Sequence, residues 1–381
     1  VSLSIAVNGQ RLAGQRFGVG RYIEYMLRHW ANQLEGDETV SLFVRRPLDE
    51  DLAALSPRIR PVLLESGMSG LPWETLRLRG AAASQDVLFC PAYTAPLAYP
   101  GRMVVATHSV NEVQSAAHSW VYRQTHSRLH RACARRADAV IVPARSTRDL
   151  VVEHYGVRPE RIAVVHQGTD DAFAPVEDEA VLSAVRTRFF GHDRPYILFV
   201  GKCSARRNIP MLLEAYARLR ATKAIPHGLL LFGPCPPDLP LAELCATLGI
   251  SDHVVQTDGV IEQHTDIVPV YAAASVFVHP SEYEGWSMTT IEALACGVAV
   301  VAADRGGLGE VARGHALMVT PELQALSDAI GRVLEDDDLR RDLQRRGRER
   351  GRSLRWSKNA RQTLDVLRSV AMGSALQGEA R

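Results

Sequence analysis

A chain of 381 residues with 46% apolar and 23% charged residues has a globular composition and length enough for two ordinary domains. Its 44 Lys and Arg against 43 Asp and Glu leave a net charge of +1, so the chain as a whole is no polycation and a nucleic-acid role gains no electrostatic support. The six cysteines, at 90, 133, 203, 235, 245 and 296, form no CxxC pair and read as reduced, in a cytoplasmic protein.

The first run, VSLSIAVNG, is short and apolar without a basic flank, and reads as a strand rather than a signal peptide. No uninterrupted apolar stretch of about 18 residues occurs, so no membrane span is predicted. Next comes GQRFGVGRYIEYML, in which Gly18 and Gly20 permit a tight turn or close backbone approach to a ligand before a helix. It is not GxGxxG, and a dinucleotide reading is weak there. SLFV, DVLFC, MVVATH and AVIVPA follow as buried strands, with YRQTHSRLHRACARRA helical between the last two. His108 ends MVVATH, where it either meets a sugar hydroxyl or is a satisfied structural histidine.

The stretch FAPVEDEAVLSAVRTRFFGHDRP, loop-like with one helix, reads as the seam of the chain. Beyond it YILFVG, GLLLFG, HVVQTDG, SVFVHP and AVVAA repeat the strand pattern, with helices IPMLLEAYARLRA and TTIEALACG. The fold class is therefore α/β: two Rossmann-like, doubly wound parallel-sheet domains, with ligand crevices at the carboxyl ends of the strands facing a central cleft. The expected division is 1–180, 181–362 and a C-terminal helix or tail at 363–381 that packs back on the first domain. The Arg-rich RRDLQRRGRERGRSLR reads as a charged, solvated helix in preference to a peripheral membrane contact.

Two segments of the second half carry chemistry. FVGKCSARRN ends a strand at Gly201 and presents Lys202, Arg206 and Arg207 before a helix, which suits a diphosphate. SEYEGWSMTTIEALACG places Glu284 in a loop and Glu292 in the helix after it, where free N–H groups of the first turn attract phosphate and a carboxylate suits ribose hydroxyls. Read alone, each segment is also compatible with solvated surface charge. No cluster has metal-ligand spacing, and no metal is predicted.

Together these segments resemble the retaining GT-B glycosyltransferases of family GT4, over nearly the whole chain. The strongest part is E-x7-E, here EGWSMTTIE, followed by ALACGVAVVAADRGGLGE. FGVGRY, LPWE at 71–74, DVLFCPAY, ADAVIVPARSTRDL, FVGKCSARRN and VVHQGTDDAF at 164–173 support it. The resemblance implies a nucleotide-sugar donor (UDP- or GDP-linked) and a hydroxyl-bearing acceptor, a glycan or a small natural product, with no tightly bound cofactor. It implies that Glu292 binds the ribose, that Glu284 touches the donor sugar, and that Gly285, Trp286, Ser287 and Met288 bracket sugar and phosphates. Arg207 stands where the family has a phosphate-binding lysine, and Lys202 where some members have an arginine. His108 matches the family, while Ser109 replaces the acid that commonly follows it. Acceptor contacts are expected at Gly18 to Tyr22, Gly70 to Trp73, Tyr93 to Pro96 and 108–125. Rival readings are a GT-B epimerase or phosphate-transferring enzyme, and a non-catalytic sugar-nucleotide-binding protein.

Overall fold

The computed structural model describes residues 2–14, 16–114 and 120–376. The chain forms two compact units, Val1–Gly168 with Trp356–Arg381, and Thr169–Arg355. The first boundary thus falls before the expected 180, because the Glu179–Phe190 helix belongs to the second unit. The last falls before 362, because Trp356–Met372 is one continuous helix of the first unit and not a short tail.

In the first unit seven strands form one parallel sheet in the order β3-β2-β1-β4-β5-β6-β7. They are β1 (Ser4–Asn8), β2 (Thr39–Val44), β3 (Ile59–Leu63), β4 (Val87–Cys90), β5 (Arg102–Ala106), β6 (Ala139–Val142) and β7 (Ile162–Val164). β4 and β6 are buried along their whole length, as strands covered on both faces must be. The short edge strands β3 and β7 are not evident in the sequence. β3 carries Pro61 and is largely exposed, which suits an edge and weakens an apolar signal. The Trp356–Met372 helix lies along the Val19–Gln33 helix: Trp30 Nε1 donates to the Ala360 carbonyl at 2.8 Å, and Tyr25 stacks on Trp356 with centroids 5.4 Å apart.

The second unit has six parallel strands in the order β10-β9-β8-β11-β12-β13. They are β8 (Tyr196–Val200), β9 (Gly228–Phe232), β10 (Val254–Thr257), β11 (Val276–His279), β12 (Val300–Ala303) and β13 (Leu317–Val319). This is the doubly wound order, and its direction reverses between β8 and β11; ligands of such sheets bind outside the carboxyl ends at that reversal. The Met288–Ala295 helix is backed by the Asp337–Ser353 helix. Gly347 and Gly351 let the two approach so closely that a Cβ at Gly351 would lie 2.6 Å from Ala295 Cα. On its outer side that Arg-rich helix pairs its own charges, Arg341 with Asp338, Arg345 with Asp342 and Glu349, and Arg346 with Asp342. Among the described residues no helix is long and apolar enough to cross a membrane.

Candidate active site

The loops after β8 and β11 meet at the reversal point of the second sheet. After β8 the chain turns at Gly201, whose φ of +136° favours glycine and whose missing side chain leaves room for Arg207. A single 3-10 turn, Ala205–Arg207, carries both arginines, and Asn208 at φ +53° starts the Ile209–Lys223 helix. The two loops are stitched together: Asn208 Nδ2 donates to the Pro280 carbonyl at 2.9 Å, Glu282 N to the Arg206 carbonyl at 3.2 Å, and Arg206 Nη1 to the Tyr283 carbonyl at 2.6 Å.

Glu284 is the focus of this arrangement. Its Oε1 lies 3.3 Å from Arg206 Nη1, 3.3 Å from Arg207 Nε and 3.3 Å from Ser281 Oγ. His279 Nε2 faces the same oxygen at 3.7 Å, beyond hydrogen-bond reach. Burial alone would raise the Glu284 pKa, but the Arg207 and Arg206 guanidinium groups outweigh it and hold the carboxyl well below the usual range. Burial lowers the His279 pKa, so the ring is neutral. Its Nδ1 meets Thr290 Oγ1 at 3.0 Å and Ser287 Oγ at 3.1 Å, and a hydroxyl donating there leaves the ring proton on Nε2, toward Glu284. Lys202 is exposed, and its carbonyl accepts from Arg207 Nη1 at 3.1 Å. Two guanidinium groups on one carboxylate leave a surplus of positive charge, with the forked geometry that suits an anion.

The loop continues through buried Gly285, Trp286 and Ser287 into the Met288–Ala295 helix, which Ser287 caps by accepting from Thr290 N at 3.2 Å. Gly306 and Gly307 press on it from the start of the next helix, Gly307 N donating to the Glu284 carbonyl at 2.9 Å. Glu292 lies deeper, with Tyr271 donating to Oε2 at 2.8 Å and His264 Nε2 3.2 Å from Oε1. Arg206, Arg207 and Glu284 are thus brought into contact, and Glu292 belongs to a separate cluster on the same helix.

In the first unit, Gly18 caps the Val19–Gln33 helix with φ +34°, and Gly20 N donates to Phe17 O at 2.7 Å. A Cβ at Gly20 would stand 2.9 Å from the Arg11 carbonyl, so the close approach made by this glycine is to the chain's own backbone. Both ring nitrogens of His108 are engaged: Nε2 lies 2.7 Å from the Pro91 carbonyl and Nδ1 3.0 Å from Gln167 Nε2. Burial pulls its pKa down to about 4, so the ring is neutral and its one proton goes to Pro91. Within the chain the ring thus has the partners that the structural alternative requires. Ser109 meets the Tyr93 hydroxyl at 3.1 Å. Of the segment expected at 108–125, residues 115–119 lie outside the described residues.

Sequence reasoning missed His279, Ser281, Tyr271 and His264. His279 had one usable signal, a polar residue ending an otherwise apolar strand immediately before the acidic loop. Tyr271 and His264 come from a segment whose text gives no such cue.

The comparisons agree with this architecture. A family model described as "Glycosyl transferases group 1" matches residues 186–350, and one described as "Glycosyltransferase Family 4" matches 18–173. The alpha-maltose-1-phosphate synthase of Mycolicibacterium smegmatis is 31% identical over 269 residues, 65% of this chain and 67% of that protein. The next curated relatives are matched over 41 to 61% of their own length. Among solved structures, sucrose-phosphate synthase from Thermosynechococcus elongatus aligns with a TM-score of 0.80 at 23% identity, over 98% of this chain and 100% of that one. HepE of Anabaena, in complex with UDP and glucose, aligns with a TM-score of 0.78 at 18% identity, over 96% and 100%. The chain belongs to glycosyltransferase family 4 and is a glycosyltransferase of the GT-B fold.

Proposed function

We propose that this glycosyltransferase moves a hexose-type sugar from a UDP- or GDP-linked donor to a hydroxyl of a glycan or small-molecule acceptor, with retention of anomeric configuration. The observation that carries the reading is the convergence of Arg206 and Arg207 on Glu284 at the reversal point of the second sheet. HepE, of the same fold, has been seen with UDP and with UDP-glucose, which favours a nucleoside diphosphate there.

In this reading Glu292, oriented by Tyr271, accepts hydrogen bonds from the ribose. Arg206, Arg207 and Lys202, with the N–H groups at the start of the Met288–Ala295 helix, hold the diphosphate. As the bond from sugar to phosphate lengthens, negative charge grows on the phosphate oxygens, and these fixed donors stabilise it more than they stabilise the intact donor. The sugar takes on oxocarbenium character beside the Glu284 carboxylate, which its low pKa keeps ionised. The acceptor hydroxyl attacks from the face the phosphate leaves, and the leaving phosphate takes its proton. No protein nucleophile is required. Calorimetric titration of the protein with UDP and with GDP tests the reading, first without and then with magnesium. Binding of one fixes the nucleotide class, and binding of neither under both conditions rejects the donor assignment. The anomeric configuration of the product, read by NMR, tests retention.

A further inference from the structure

Two thiols lie under the arginine loop. β8 and β9 pair in register from Tyr196 with Gly228 to Val200 with Phe232. The ladder runs on past the strand ends, because Gly201 N donates to the Phe232 carbonyl at 2.9 Å and Cys203 N to the Pro234 carbonyl at 2.9 Å. This register makes Cys203 and Cys235 direct neighbours. In-register parallel strands run about 5 Å apart, within the Cα separation of about 4.4–6.8 Å that a disulfide spans. The two thiols are close enough to perturb one another, Cys235 adding to the rise that burial gives the Cys203 pKa and Cys203 working against the rise of Cys235. Cys203 is fully buried in the core of the second unit, while Cys235 is only partly buried. Between Cys203 and the helix that follows lie only Ser204 to Asn208, the residues that carry Arg206 and Arg207.

We propose that Cys203 and Cys235 form a redox-modification site, closed to a disulfide by a peroxide-class oxidant, and that the bond pins the loop bearing Arg206 and Arg207. The thiolate of Cys235, the more accessible sulfur, attacks one peroxide oxygen. The O–O bond breaks, the departing oxygen leaves as an alcohol or water after taking up a proton, and Cys235 becomes a sulfenic acid. The Cys203 sulfur then attacks the Cys235 sulfur, forming S–S and releasing water. The two sulfurs together lose two electrons and the peroxide gains two. Burial pushes the Cys203 thiol up to about 12 and raises Cys235, so closure accelerates as pH rises above neutral. In the reduced protein both guanidinium groups lie against Glu284 in the short turn that follows Cys203. Tethering position 203 to the end of β9 alters how that turn presents them to a diphosphate.

The cross-link itself is independent of any donor, while its effect on nucleotide rests on the function proposed above. The test treats the reduced protein with hydrogen peroxide, caps free thiols, maps the proteolytic peptides by mass spectrometry and titrates UDP and GDP by calorimetry before and after. The expected result is a Cys203–Cys235 cross-linked peptide that dithiothreitol abolishes. Nucleotide affinity falls with it by roughly tenfold, the scale of one charge-assisted hydrogen bond, and recovers on reduction. Cys235→Ser keeps the reduced-state affinity before and after peroxide. Oxidation of Cys235 without that cross-link, pairing of Cys235 with Cys245, or a cross-linked protein of unchanged affinity overturns the proposal. A reduced protein that binds neither nucleotide fails the donor reading alone, and the peptide map then decides the thiol pair by itself.

Discussion

Arg207 and Glu284, 77 residues apart in the chain, meet at 3.3 Å where the order of the second sheet reverses, and Arg206 shares the same carboxylate oxygen. In the proposed reading the arginines hold the diphosphate and Glu284 touches the donor sugar, and the carboxylate then competes with the donor phosphates for the same cations. Glu284→Gln keeps the shape and removes the charge. We expect nucleotide affinity to be unchanged or tighter and release of nucleoside diphosphate from the donor to fall by roughly a hundredfold or more. Loss of a buried ion-pair partner should also destabilise the fold by about 3 kcal/mol. Calorimetry, steady-state turnover and urea unfolding separate the three effects, and unchanged turnover rejects the role.

The pH dependence of stability has a calculable sign. His108 has its folded pKa lowered to about 4 by burial, against an ordinary value of about 6.5. Below the ordinary value the unfolded chain binds a proton that the folded chain refuses. The contribution of the neutral ring is therefore fully present above about pH 6.5 and is lost as pH falls toward 4, with a span of roughly 3 kcal/mol. His227, also pulled down to about 4, adds in the same direction. His108→Gln should be less stable than the parent at pH 7, yet lose less stability between pH 7 and pH 4.5. Urea melts of both proteins at the two pH values check this, and parallel losses would show that His108 does not titrate as its burial requires.

The paired Rossmann-like sheets and the two charged loops were legible because their signals are local. Buried parallel strands are continuous apolar runs, and Gly201, Arg206, Arg207 and Glu284 fall just past two of them. What was not legible depends on contact between distant segments. β3 and β13 are short edge strands with mixed text. The return of a C-terminal helix to the first unit was expected, but its start at Trp356 rather than 363 is decided by Tyr25 and Trp30, more than three hundred residues upstream. His108 is a further case: its place at a strand end is visible in the text, but its contacts to Pro91 and Gln167 are not.

Tyr271 offers a test of the inner carboxylate. Its hydroxyl donates to Glu292 Oε2 at 2.8 Å in a buried setting. Tyr271→Phe removes this bond and nothing of the ring packing, which should cost about 1 kcal/mol, the scale of one intramolecular hydrogen bond. If Glu292 binds ribose, the same change loosens its orientation, and UDP or GDP affinity should fall about tenfold, with Glu292→Ala losing more. Thermal unfolding and calorimetry report the two effects. A stability loss with full nucleotide affinity in both variants would remove Glu292 from the donor site.

The loop that holds Glu284 also depends on what a glycine lacks. A Cβ at Gly307 would lie 2.1 Å from the Gly285 carbonyl oxygen and 3.0 Å from Trp286 N, so its nearest neighbours are one backbone peptide and not a flexible side chain. A Cβ at Gly309, two residues along the same helix, would meet only the ends of two side chains, Asp304 Oδ1 at 2.8 Å and Arg313 Nη2 at 3.1 Å. Gly307→Ala must therefore displace the Glu284–Trp286 segment, with an expected cost of about 1–3 kcal/mol and a fall in nucleotide affinity. Gly309→Ala asks only that an exposed Arg313–Asp304 pair rearrange, and the helix gains intrinsic propensity in return, so its stability should stay within about 1 kcal/mol of the parent. Measuring both by thermal unfolding and calorimetry discriminates a loop held in place by backbone contact from one that tolerates movement. Equal behaviour of the two alanines would show that the packing of Gly307 on Gly285 does not fix the position of Glu284.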